Sequence, residues 1–576
     1  MGREKELLDR NNETTLGSSK KFDLLQDEIF MKYANKSLPL QNKKKTRAGL
    51  SPYTGAFTKK HALHLLKRTM FGAKASDLNT ISNLTASQAV DMLLSNANLV
   101  TPAPPVNYYQ NIYNDPQSIA YGATWDGQSY TDGTTDYYRK QSVRAWWMNN
   151  ILTQNISIQE KMILFLSNFY PIELNSGLSQ LNYDYLTLLR TYSMGNLKDF
   201  VRDLTINPAI LRYLNGQYNT KYAPDENYAR ELQELFTIGK LGQVYTEYDV
   251  IAAAKVLTGW RVNLTTNQSY YDESRHDTTN KVFSLFYGFN TIQYTPGPNG
   301  GMTALNDLID MIFLKQQEVA KHFCRNLYRF FVYYDITSSV ESTIINGLAT
   351  TLINNNWEIK PVLEILLKSD HFFDNAMMDC LIKTPMDYYL GTLRTIDFQV
   401  PSTYSVEDWH RLHINLSDNF CNPAGMRPGD PPNVSGWQAY YQVPFYHQSW
   451  INSDTLPKRV KNMDNWTGTY GMWVRSGLNQ PFDWLSFVKN NISNPGDPDI
   501  VVQECVDLLL GVGLSQTSRD HYKSHLLSGQ TSNFYWTVAW NDYINFPSNS
   551  TYQGVVATRL RNMFKDMMRL AETHLS

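Results

Sequence analysis

Asp225-Glu226-Asn227-Tyr228-Ala229-Arg230-Glu231-Leu232-Gln233-Glu234-Leu235-Phe236-Thr237-Ile238-Gly239 places its apolar residues at helical spacing and gathers its polar ones on the other side. At about 100° per residue, Glu226, Asn227, Arg230, Glu231 and Glu234 fall within roughly 140° of arc, opposite Tyr228, Leu232, Leu235 and Phe236. The pattern predicts a helix over about 226–238 with one buried face and one polar face. Opposite charges four residues apart suit ordinary surface ion pairs, each contributing about 0.2–0.5 kcal/mol. Turned inward, the same groups would have to be paired. Arg230 would neutralise Glu226 or Glu234 and leave Glu231, whose burial would raise its pKa, as a general base or metal ligand.

The same periodicity recurs along most of the chain. Helices are expected near 58–71, 86–96, 138–153, 157–168, 183–193, 196–206, 247–258, 303–313, 317–332, 338–354, 359–368 and 555–574, without alternating strands between them, which predicts a mainly α fold built on one large multi-helical core. Thr246 followed three residues later by Asp249 reads as a capping box, and Gly259 as the residue that closes that helix. Two stretches interrupt the pattern. Residues 101–137 are rich in Pro, Tyr, Asn, Asp and Gly, and 261–302 carry short β-like runs such as Lys281-Val282-Phe283-Ser284-Leu285-Phe286-Tyr287. Excursions of that length are more often functional than idle. The expected organisation is a polar tail over 1–54, a helical core over 55–460 with its two excursions, and a C-terminal helical region over 461–576 packed on the core.

With 576 residues and 42% hydrophobic content the chain can bury a large core, and 52 Lys and Arg against 54 Asp and Glu leave no global field to draw in nucleic acid. The cysteines Cys324, Cys380, Cys421 and Cys505 lie far apart with no zinc-ligand spacing. The first thirty residues lack the apolar segment of a secretory signal, Glu6 stands where myristoylation needs Ser or Thr, and no apolar run is long enough to span a bilayer. A soluble protein without a transmembrane segment is expected. No nucleophile elbow, Walker loop or dinucleotide fingerprint is present, and His322 and Cys324, two apart on an expected helix, point to different faces.

Several segments in order resemble the bacterial family known as domain of unknown function 1800. They are the 225–239 stretch, Tyr245-Thr246-Glu247-Tyr248-Asp249-Val250 with Leu257-Thr258-Gly259-Trp260, and Pro431-Pro432-Asn433-Val434-Ser435-Gly436-Trp437. His64-Leu65-Leu66-Lys67-Arg68, His276-Asp277 with Lys281, Asn326-Leu327-Tyr328-Arg329, Lys383-Thr384-Pro385 and Trp450-Ile451-Asn452-Ser453 with Arg459 extend the likeness over about 57–459. Where relatives often carry Trp-His-Asn-His-Phe, this chain reads Leu166-Ser167-Asn168-Phe169-Tyr170, so a metal or proton-transfer role of those imidazoles is not carried over. The resemblance implies an extracytoplasmic, envelope-associated setting and a co-encoded sulfatase-like partner.

Three further groups are candidates. His276, Asp277 and Lys281 join an orientable imidazole to a positive charge, suited to acid–base chemistry on an anionic substrate, and an Asx turn with a structural histidine satisfies the same residues. No cofactor signature is evident. A divalent metal would have to use His276 and Asp277, with Glu231 or Glu234 as distant third ligands. Trp260 and Trp437, the latter near Asn433, each follow a glycine and either stack on a sugar or plug the core. Tyr108, Tyr109 and Trp125, among Asn, Asp and Gly of the first excursion, suit either an adaptable surface for a glycan or protein partner or structural packing. Two functional readings follow: a binding or scaffold protein of the cell envelope, and alternatively a hydrolase-like enzyme with Glu231, His276, Asp277 and Lys281 in catalysis.

Overall fold

The computed structural model describes residues 49–97, 100–240, 245–511 and 513–576. Of the expected tail over 1–54, residues 1–48 therefore lie outside the described residues. Its last part is docked, with Tyr53 N–H donating to Lys368 O at 2.8 Å and Pro52 bridged to Ser369.

The fold is mainly α. Asp225 caps the decisive helix by accepting from Asn227 N–H at 2.8 Å, and the α-helix runs Glu226–Glu234. It ends sooner than its periodicity suggests because Gln233 O accepts from both Ile238 and Gly239 N–H, at 2.9 and 3.1 Å. Gly239 sits at φ +85°, where a Cβ would come within 2.5 Å of His322 Nδ1, so glycine is required twice over. The Thr246/Asp249 capping box is formed and opens Glu247–Val256. Helices at Ala75–Ser82, Pro385–Thr395 and Val406–Asn415 were not expected, their patterns being short or flanked by turn residues.

Gln159–Phe169 is buried on every side and forms the central post. The longest described helix, Gly133–Thr153, lies against Ser179–Tyr192, Val406–Asn415 and Pro385–Thr395. One contiguous apolar cluster runs from Ala62 through Met568, so the C-terminal helices share the core, with Trp484 stacked on Phe564 at 4.0 Å. Arg139–Asp115 (2.9 Å), Arg190–Glu160 (2.6 Å) and Arg144–Asp430 are buried ion pairs that tie these layers together. Among the described residues the sheets are three antiparallel strand pairs, Trp260–Asn263 with Gln268–Tyr271, Lys281–Val282 with Thr291–Ile292, and Met472–Arg475 with Leu478–Gln480. The first two make up the expected second excursion. No described helix is long and apolar enough to cross a membrane.

Candidate functional site

The polar stripe of Glu226–Glu234 faces outward. Arg230 donates to both carboxylate oxygens of Glu247, at 2.7 and 2.6 Å, and to Glu226 at 3.2 Å, while Glu234 pairs with Lys240. The side chains of Glu226 and Glu247 are 42% and 72% exposed, so these are solvent-screened pairs. Asn227 reaches only the Leu214 carbonyl, at 3.3 Å. Glu231 is half-buried, and burial followed by the neighbouring Glu234 raises its pKa. Its charged neighbours are Glu234, Lys240 and Arg230.

His276, Asp277 and Lys281 do come together, as a closed knot. The His276 ring sets Nδ1 against Thr258 O at 2.8 Å, Thr258 Oγ1 accepts from Asp277 N–H at 2.8 Å, and Lys281 Nζ donates to Asp277 O and to His276 Nε2, the latter at 3.3 Å. His276 and Lys281 are 1% and 2% exposed. Burial lowers the pKa of both; for His276 the Lys281 charge adds to it, and the Thr258 carbonyl opposes it. A neutral imidazole that gives its hydrogen to Thr258 and its lone pair to Lys281 has nothing left to offer a substrate. Asp277 is occupied in the same way, accepting from Thr279 N–H at 2.8 Å.

The knot and the stripe do not form one site. Arg230 is anchored at Glu247, which opens the Glu247–Val256 helix, and His276 at Thr258, two residues past its end, so about 15 Å of helix axis separates the two anchors. Glu231 therefore does not complete a constellation with His276. His276 and Asp277 also belong to no group of three metal-capable side chains among the described residues.

The aromatic candidates are corrected in the same direction. Tyr108, Tyr109 and Trp125 are 4%, 0% and 0% exposed, so they do not form an outward recognition surface. Tyr108 stacks on His410 at 4.6 Å, Tyr109 OH donates to Asp115 Oδ2 at 2.6 Å, and Trp125 Nε1 donates to Ser142 Oγ at 2.8 Å. Composition suggested an adaptable surface; the buried Arg139–Asp115 pair instead ties the excursion to the Gly133–Thr153 helix. Trp260 and Trp437 are buried plugs. Asn433 shapes its own turn by accepting from Ser435 N–H at 2.8 Å. Asn168, in the segment that departs from the family pattern, accepts from Trp437 N–H at 2.8 Å.

A cleft of about 430 Å³, not evident from the sequence, lies beside the start of the excursion. The Pro102-Ala103-Pro104-Pro105 start of the excursion forms one side, and the C-terminal end of Gly133–Thr153 with Trp409 and His410 forms the other. Trp146 Nε1 donates to Ala103 O at 2.7 Å and fixes the two sides to each other. Asn149, Asn150, Gln154, Asn155 and Gln159 supply side-chain amides, and the Glu160–Arg190 pair lies at the base. Burial raises the Glu160 pKa, and Arg190 opposes that rise. Asn150 Nδ2, Gln154 Oε1 and Arg190 Nε are buried and make no hydrogen bond. The signal in the sequence was the run of amides from Asn149 to Asn155 at a helix end, which reads as solvated until the excursion folds over it.

A family model described as "Protein of unknown function (DUF1800)" matches residues 64–546, most of the chain. No curated protein and no solved structure matches it.

Proposed function

We propose that this chain, which belongs to the DUF1800 family of proteins of unknown function, is a binding protein that takes a neutral glycan segment in the cleft under the first excursion. The reading is carried by one observation: the side-chain amides of Asn149, Asn150, Gln154, Asn155 and Gln159 converge on a cleft of about 430 Å³. Amides both donate and accept, as hydroxyls do, and the half-exposed indole of Trp409 offers a flat apolar face to a sugar ring. The volume falls in the range of small-ligand sites.

The hydrolase alternative draws less support, because Glu231 stands apart from an imidazole and an ammonium whose hydrogen-bonding capacity is already spent. Placement at the cell envelope rests on the family alone and is tested by fractionating the producing cells. The cleft is tested by titrating the protein with neutral oligosaccharides and following the fluorescence of Trp409. A saturable change that is lost in Asn150→Leu/Gln154→Leu is expected. An equal response in that variant removes the reading.

A further inference from the structure

Two helices of the C-terminal region, Gln516–Leu526 and Ser550–Met567, lie side by side. His521 and His525 are four residues apart, so their imidazoles leave the same face of the first helix. Both direct Nε2 at a single carboxylate oxygen, Asp566 Oδ2 in the last turn of the second helix, at 2.5 and 3.1 Å. The three ligand atoms all lie within 4.8 Å of one another. Among the described residues this is the one grouping of three metal-capable side chains.

We propose that His521, His525 and Asp566 form a site for a divalent transition-metal ion, zinc foremost, with three protein ligands and a fourth position open to solvent. Two imidazoles aimed at one carboxylate oxygen leave no room for a substrate between them, but they surround a point that an ion can occupy. Ligand bonds of about 2.0–2.2 Å at tetrahedral angles set ligand atoms roughly 3.2–3.5 Å apart. The present spacing reaches that with sub-ångström to ångström side-chain movement, and the side chains are free to make it: His521, His525 and Asp566 are 59%, 28% and 33% exposed. Imidazole nitrogens select zinc, nickel and copper over the oxygen-seeking magnesium and calcium. An aspartate carboxyl is ionised at neutral pH and so is available as a ligand. The ion would replace the two ring hydrogens now shared with Asp566 and tie the last long helix to its neighbour.

The test uses the untagged full chain after exhaustive dialysis against chelator, titrated with zinc chloride by calorimetry. One equivalent per chain is expected, with binding weakened at least about tenfold in His521→Ala and in Asp566→Ala and unchanged in His276→Ala. Magnesium and calcium should give no saturable heat. Cobalt(II) added to the wild-type chain should give the visible absorption of a four-coordinate ion, a reading that needs no variant to fold. Absence of saturable zinc binding, zinc binding that survives the His521→Ala/His525→Ala double variant, or calcium binding of equal strength overturns the proposal.

Discussion

Trp437 N–H donates to Asn168 Oδ1 at 2.8 Å, joining the 431–437 motif to the end of the buried Gln159–Phe169 helix. Gly436 beside it sits at φ +84°, where a Cβ would come within 2.3 Å of Asn168 O. Asn168→Ala should cost about 1–3 kcal/mol, the cost of a buried N–H left unpaired, and Gly436→Ala should cost more, since backbone strain and collision add. Thermal unfolding of the two variants orders them. A stability in Gly436→Ala equal to wild type contradicts the contact.

The Arg139–Asp115 pair is nearly sealed from solvent, the side chains being 3% and 0% exposed. Asp115→Ala leaves the guanidinium buried without its partner and should cost about 3–5 kcal/mol. Because Asp115 also accepts from Tyr109 OH, the excursion should loosen around it. Faster hydrogen exchange over 106–125 is the expected local readout, and unchanged protection there would show that the excursion is held by something else.

Arg230→Ala removes the bonds to Glu247 and Glu226 but should change stability by no more than about 1 kcal/mol, because those carboxylates stand in water. Denaturant unfolding measures it. A loss of several kcal/mol would mean that the stripe is covered in the working protein.

His413 is fully buried, and burial pushes its pKa down to about 3, with the Trp409 carbonyl opposing the shift and His410 adding to it. The folded value lies below the unfolded one of about 6.5, so the unfolded chain binds more protons between them. Stability from this residue is therefore complete above pH 6.5 and falls as the pH drops toward 3, by up to about 1.4 kcal/mol per unit. His413→Gln should show a shallower decline of melting temperature between pH 6.5 and 4 than wild type. An unaltered slope would mean that other groups govern acid unfolding.

What was legible in the chain was local. The Thr246/Asp249 box and the meeting of His276 with Lys281 both join residues a few positions apart, and each is present. Asp115 and Arg139 are 24 positions apart, and only that pairing turns a tyrosine-rich loop into a packed segment. The stripe of Glu226–Glu234 was legible as a stripe, but the spacing of charges on one helix does not say which neighbour covers it. The cleft was illegible for the same reason. Its parts come from Pro102, Asn150, Arg190 and Trp409, and no single periodicity spans them.

The most direct test of the cleft is calorimetric titration of the full chain with neutral oligosaccharides beside carboxylated or sulfated ones. Saturable single-site heat with a neutral glycan, abolished in Asn150→Leu/Gln154→Leu and kept in Arg230→Ala, is the predicted result. Heat of equal size in the Asn150→Leu/Gln154→Leu variant, or none with any neutral glycan, would contradict it.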